Sequence, residues 1–218
     1  MLVGHYSASF VGKAAAPGVP IWVLLLAAQL VDVFWAVFVL VGVERVHLDP
    51  ALPSNPMVLE SIPYTHSLLG AVLWAGAAGF VVARLPALGG TRWAGIVVAL
   101  VVASHWALDL LVHRPDLTLW GAPPKLGMGL WDVPWLAYGI ELVLVAGSAA
   151  FYARRAQLSS RARRGLAIVA AGLLVLQAAA ALGPVPATAA ELALSAAAVY
   201  AGVAYAGLRM ERWAAPSA

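Results

Sequence analysis

The sequence predicts an all-α fold, a polytopic membrane protein whose residues 1–218 form one integral domain of about six transmembrane helices with both termini cytoplasmic. Three observations lead there. Hydrophobic residues make up 63% of the chain and charged ones only 11%, at a mean hydropathy of +0.89. A water-soluble domain of this size carries about a quarter charged residues, so much of this surface must face hydrocarbon. Apolar runs of about 20 residues, enough to cross a core of ~30 Å, recur along the chain. The basic residues cluster in alternate connecting segments, as they do in membrane proteins with a fixed orientation.

The elements follow in order. The N-terminal stretch "MLVGHYSASFVGKAAAPGVP" has no basic region ahead of a continuous apolar core, so it is expected to be retained rather than removed as a signal peptide. Residues 2–14 read as a short helix, either re-entrant or lying at the interface. The spans are expected at roughly 19–43, 64–86, 92–113, 132–153, 164–182 and 186–208. Breaker-rich loops separate them: "DPALPSNP", "LPALGG", "RPDLTLWGAPPKLGMG" and "GPVP". The spans must be helical, because an isolated strand leaves its backbone unpaired in lipid.

Charge gives the orientation. Lys13, Arg84, Arg92, Arg154, Arg155, Arg161, Arg163, Arg164, Arg209 and Arg212 fall in the N-terminal segment, the even loops and the C-terminus, against Arg45, Arg114 and Lys125 in the odd loops. Both termini are therefore expected in the cytoplasm, with the first, third and fifth loops outside. Tyr64, Trp120, Trp131 and Trp135 would mark the outer interface, and Trp93, Tyr152 and Trp213 the inner one. Ala198, Gly202 and Ala206, spaced by four, would let helix backbones approach closely. The pI of about 9.5 reflects this topological charge, and no nucleic acid is expected as a partner. With no cysteine, thiolate metal sites and disulfides are excluded.

The polar groups inside these runs carry the chemistry. Asp32, His66, His105, Asp109 and Glu141 all fall in the outer parts of their expected spans, and His113 at the outer rim of the third. An acid facing lipid at mid-membrane costs about 2.5–3.5 kcal/mol, so these groups are expected to face one another around a cation or a wet cleft. In "SHWALDLLVHRP", His105 and Asp109 are four apart, about 40° and ~6 Å on a helix, and can address one centre. Imidazole and carboxylate together suit zinc or a similar divalent metal, and roughly one to three ions are expected. On a continuous helix His113 would rise ~12 Å above His105, serving a second ion or a substrate at the mouth. The plainer alternative is a hydrogen-bonded polar cluster between helices.

The stretches "GHYSASFVGKAAAP", "AAQLVDVFW", "YTHSLLG", "SHWALDLLVHRPDL" and "KLGMGLWDVPW" together resemble the inner-membrane metal-dependent hydrolases, the group that includes a LexA-binding membrane protein. That group is considered related to zinc-dependent phospholipase C and single-strand nucleases. The resemblance spans about the first 140 residues. It implies that His5, Asp32, His66, His105 and Asp109 are metal ligands, although Val31 stands where the family has proline before the aspartate. For His5 to take part, the N-terminal helix must be re-entrant and shielded by protein.

The expected activity is hydrolysis by metal-activated water in the bacterial inner membrane, at a site facing outward. Glu141 is expected as general base or orienting group, and His113 as leaving-group acid or ligand of a second ion. Membrane lipids are the expected surroundings and a lipid or lipid-linked molecule the expected substrate. The first external loop, with Arg45 and His47, would cover the site and meet an anionic head group. A metal or proton carrier using the same groups, and a non-catalytic scaffold, are the competing readings. No Gly-x-Ser-x-Gly element is present, which argues against a serine hydrolase.

Overall fold

The computed structural model describes residues 1–214. It is mostly helical. In chain order the helices are α1 (Tyr6–Ala15), α2 (Ile21–Ala28), α3 (Leu30–Leu40), α4 (Leu68–Arg84), α5 (Arg92–Val112), α6 (Pro134–Arg155), α7 (Ser160–Leu182) and α8 (Ala189–Ala214). Among the described residues, four helices (α5 to α8) are long and apolar enough to cross a membrane, or five spans if the bent pair α2–α3 counts as one. That is compatible with an integral membrane protein. It differs from the expected six uninterrupted runs in two places.

The first is the run expected at 19–43. It divides at Gln29 into two helices bent by 54°. No glycine or proline marks the position; side chains have replaced the helical hydrogen bonds there. His105 Nδ1 lies 2.8 Å from the Ala28 carbonyl, Ser9 Oγ donates to the Leu24 carbonyl, and buried Gln29 donates through Nε2 to the Leu2 carbonyl. Side-chain insertion into the backbone ladder is a recognised cause of such kinks. The second difference is α4, only 17 residues long. It starts late because residues 63–67 form a loop, and Ser67 caps the helix by accepting a hydrogen bond from the Gly70 N–H at 3.0 Å. α5, capped by Thr91, extends over 21 residues, about 32 Å.

The expected N-terminal helix is α1, and it lies within the bundle. It packs on α6, α2 and α5, with Tyr6 and Phe10 fully buried. α4 and α5 cross at two glycines. A Cβ on Gly79 would stand 2.6 Å from the Gly95 carbonyl oxygen, and one on Gly95 would stand 2.4 Å from that of Gly79. This is the close backbone approach that the sequence suggested for Ala198, Gly202 and Ala206. At Gly202 an added Cβ would meet nothing within 4 Å, so no backbone approaches closely at that position. Trp131 and Tyr152 are buried, whereas Tyr64, Trp93, Trp120, Trp135 and Trp213 are exposed.

Two loops contain short antiparallel strands in an otherwise helical chain. β1 (Arg45–Leu48) pairs with β2 (Met57–Ser61), and β3 (Leu117–Thr118) pairs with β4 (Lys125–Leu126). Arg114 ties the two loops together, donating to the carbonyls of Pro53 and Asn55 and to Asp132. Gly127 lets the returning strand press on the end of α5, where an added Cβ would lie 2.1 Å from the Arg114 carbonyl oxygen. Arg45 and His47 point away from the core on this hairpin, His47 lying 2.9 Å from Glu60.

Candidate metal centre

Four parts of the chain deliver polar groups to one place. The break at Gln29 starts a new helix, which puts Asp32 in the first turn of α3, where the helix dipole favours a carboxylate. The loop before α4 carries His66, α5 supplies His105 and Asp109, and the residue preceding α1 is His5. His5, His66, His105 and Asp109 are each no more than 2% exposed.

The distances define two overlapping groups of candidate ligands, His5–His105–Asp109 and Asp32–His66–His105. His66 Nε2 lies 3.1 Å from Asp32 Oδ1 and 3.7 Å from Asp109 Oδ2. His105 Nε2 lies 3.4 Å from Asp32 Oδ1 and 3.1 Å from Asp109 Oδ2. On the other carboxylate oxygen, Asp109 Oδ1, converge His5 Nε2 at 3.1 Å, His113 Nε2 at 3.7 Å and the Met1 ammonium at 2.7 Å. The His5 and His105 rings stack at 3.8 Å.

The outer hydrogen bonds fix which ring nitrogen faces inward. Thr65 Oγ1 donates its proton to Glu44 Oε2 at 2.6 Å, so it accepts from His66 Nδ1 at 2.9 Å. His105 Nδ1 donates to the Ala28 carbonyl, and His113 Nδ1 donates to Asp116 Oδ1 at 3.0 Å. In neutral imidazoles each Nε2 then presents a lone pair toward carboxylate oxygens. Acceptors facing acceptors in a buried place repel unless a proton or a metal cation lies between them. His105 Nε2 is indeed buried without a hydrogen-bond partner, despite two carboxylate oxygens close by.

These donors fit a divalent metal. Ligand atoms ~2.0–2.1 Å from a tetrahedral ion stand about 3.3 Å apart, and the separations of 3.1 and 3.4 Å around Asp32 Oδ1 bracket that value. Two carboxylates match a doubly charged ion in number, with the Met1 ammonium on Asp109 Oδ1 as a further cation at the site. Histidines whose outer nitrogens are held by a carbonyl, a hydroxyl or a carboxylate are the usual companions of a bound metal.

Each expected site residue has a place. Asp32, His66, His105, Asp109 and His5 come together. His113 joins them, contrary to its expected separation of ~12 Å. The helix stops at Val112 and His113 adopts an extended conformation, φ −63° and ψ 144°, which folds its ring back toward Asp109 and against Trp131 at 4.1 Å. Glu141 accepts the Leu2 and Gly4 N–H groups through Oε2, at 3.0 and 2.9 Å, and so holds the segment bearing His5. These contacts are those of an orienting group.

Sequence reasoning missed several contributors, Thr65 and the Met1 ammonium among them. Glu44 is 1% exposed and takes hydrogen bonds from the Tyr64 and Thr65 N–H groups as well as the Thr65 hydroxyl. Tyr200 donates from its hydroxyl to Asp32 Oδ2 at 2.8 Å, and Asp116 holds His113. Neither Glu44, next to Arg45 in a loop, nor Tyr200, in an alanine-rich run, carries a local sequence signal for this role. Comparison of the chain with protein-family models, curated proteins and solved structures finds no match. The site must therefore be interpreted from its own chemistry.

Proposed function

We propose that this protein is a membrane-embedded, metal-dependent hydrolase acting on a lipid or phosphoester substrate. The observation that carries the reading is the set of inward lone pairs, His66 and His105 Nε2, aimed at the oxygens of Asp32 and Asp109 with His105 Nε2 left unpartnered. Asp32, His66, His105 and Asp109 would hold a divalent ion, with zinc the best match to the donor types. His5 and His113, on the second oxygen of Asp109, would extend the set. A divalent ion supplies Lewis acidity at such a site, acidifying water and polarising an ester or phosphoester.

The chain's own groups do the rest. Thr65, backed by Glu44, and the Ala28 carbonyl lock the tautomers of His66 and His105. Tyr200 fixes the orientation of Asp32, and Glu141 anchors the segment that presents His5. His113, held by Asp116 at the end of α5, would serve either as that further ligand through Nε2 or, once protonated there, as the acid that hands a proton to a leaving oxygen. Below the site, Val97, Val98, Val101 and Val102 form an apolar plug. A one-sided centre favours hydrolysis over carriage of an ion through the bundle. In this reading the chain crosses an inner membrane six times, with α2–α3 and the short α4 completing the count, both termini in the cytoplasm and the centre toward the outside. The resemblance to the membrane-bound hydrolases points the same way.

The experiment is turnover in phospholipid nanodiscs, with bis(p-nitrophenyl) phosphate as a soluble reporter, for zinc-loaded and chelated protein. Metal-dependent hydrolysis that His66→Ala abolishes is expected. Equal product release from loaded protein and from His66→Ala would contradict the assignment.

A further inference from the structure

The α7–α8 pair offers a second site, far from the polar groups in character. The two helices run antiparallel and touch at one end, where a Cβ on Gly165 would lie 2.8 Å from Met210 Cγ and 3.3 Å from the Trp213 ring. Farther along they part. An added Cβ on Gly172 or Gly202 would meet nothing within 4 Å, and between the helices lies a groove of about 910 Å³. Its walls are apolar, with Ile168, Leu176 and Val199 among them. From Gly165 to Leu176 it extends about 16 Å, close to the depth of one leaflet's hydrocarbon, half of ~30 Å.

The touching end is strongly basic. Arg209 and Arg212 line the groove there. Arg161, Arg163 and Arg164 open α7 at the same end, Arg161 lying 5.3 Å over the Trp213 ring. Among the described residues none of these five arginines has a carboxylate partner. Glu211, the acid on that turn, is committed on the opposite face to Lys13 at 2.7 Å and to the Ile21 N–H at 2.9 Å. Arg209 reaches only the Tyr205 hydroxyl at 3.5 Å, and an apolar slot of leaflet depth that ends in guanidiniums not matched by described carboxylates, beside an indole, suits a lipid with an anionic head group.

We propose that the α7–α8 groove binds one anionic phospholipid from the leaflet on the basic side, an acyl chain along Gly172 and Gly202 and the phosphate at Arg209 and Arg212. A second copy of the chain is a poorer occupant. Copies share one orientation in a membrane, so a symmetric pair would bring the same arginine cluster face to face. The site is independent of the metal reading and survives its failure.

The test is native mass spectrometry of the full chain in detergent, titrated with phosphatidylglycerol or with phosphatidylcholine. Wild type should retain one phosphatidylglycerol with a preference of roughly tenfold or more. Arg209→Gln with Arg212→Gln should remove the preference. Gly172→Leu with Gly202→Leu, which fills open space, should remove the retained lipid while the melting temperature holds. Equal binding of the two lipids by wild type, or an undiminished lipid in the filled variant, would overturn the proposal. So would a wild-type dimer that the filled variant splits, since a second copy would then own the groove.

Discussion

α5 and α8 are both long, apolar helices, yet the bundle uses them in opposite ways. Half of the apolar stretch of α5 is buried, against 17% for α8. α5 is clasped by α4, α2 and α1, carries His105 and Asp109 inward, and meets α4 so closely that Gly79 and Gly95 admit no side chain. α8 touches α2 and α3 along one face and leaves a groove along another. Polar groups in hydrocarbon are tolerable only where neighbours satisfy them. The chain therefore encloses α5, which carries His105 and Asp109, on several sides, and leaves α7 and α8 open to each other around Gly172 and Gly202.

Substitutions can break or sharpen that contrast. Glu141→Ala strips the acceptor from two N–H groups next to His5, each worth about 1–3 kcal/mol when left unsatisfied. It should lower stability by about 2–6 kcal/mol, measured by chemical unfolding in detergent, while Asp32, His66 and His105 still retain an ion. Gly95→Ala, forced against the Gly79 carbonyl, should cost about 1–3 kcal/mol in the same assay. Thr65→Val keeps the shape but releases His66 Nδ1 and the Glu44 carboxylate. Metal affinity should fall about tenfold or more by competition with a chromogenic chelator. Gly172→Ala lies at the other extreme: in the open groove it should stabilise α7 by about 0.5–1 kcal/mol, the ordinary helix preference of alanine. If Gly95→Ala and Gly172→Ala proved equivalent, the difference in packing between the two regions would be wrong.

What the sequence disclosed follows the same division. Long apolar helices and the shared face of His105 and Asp109 are properties of local pattern, and the four longest helices came out near their expected places. Asp32 and His66 could be grouped with that pair through their depth in the apolar runs. The break at Gln29 could not be foreseen, because its causes are His105, Ser9 and the Leu2 carbonyl, all remote in sequence. His113 was misplaced by extending α5 one residue too far, although Pro115 warned of the end, since the residue before a proline resists helix. Glu44 and Tyr200 act through partners 21 and 168 positions away, and no local spacing encodes such a contact.

The central claim is that the buried histidines and aspartates form a metal centre, and metal content tests it most directly. Detergent-purified wild type and the double variant His105→Ala, Asp109→Ala would be compared by plasma mass spectrometry, with circular dichroism to verify the fold. The account predicts about one to three equivalents of a transition metal in wild type, lost from a folded variant. Two metal-free preparations, even after reloading with zinc, would contradict it and leave the cluster as an interhelical polar network.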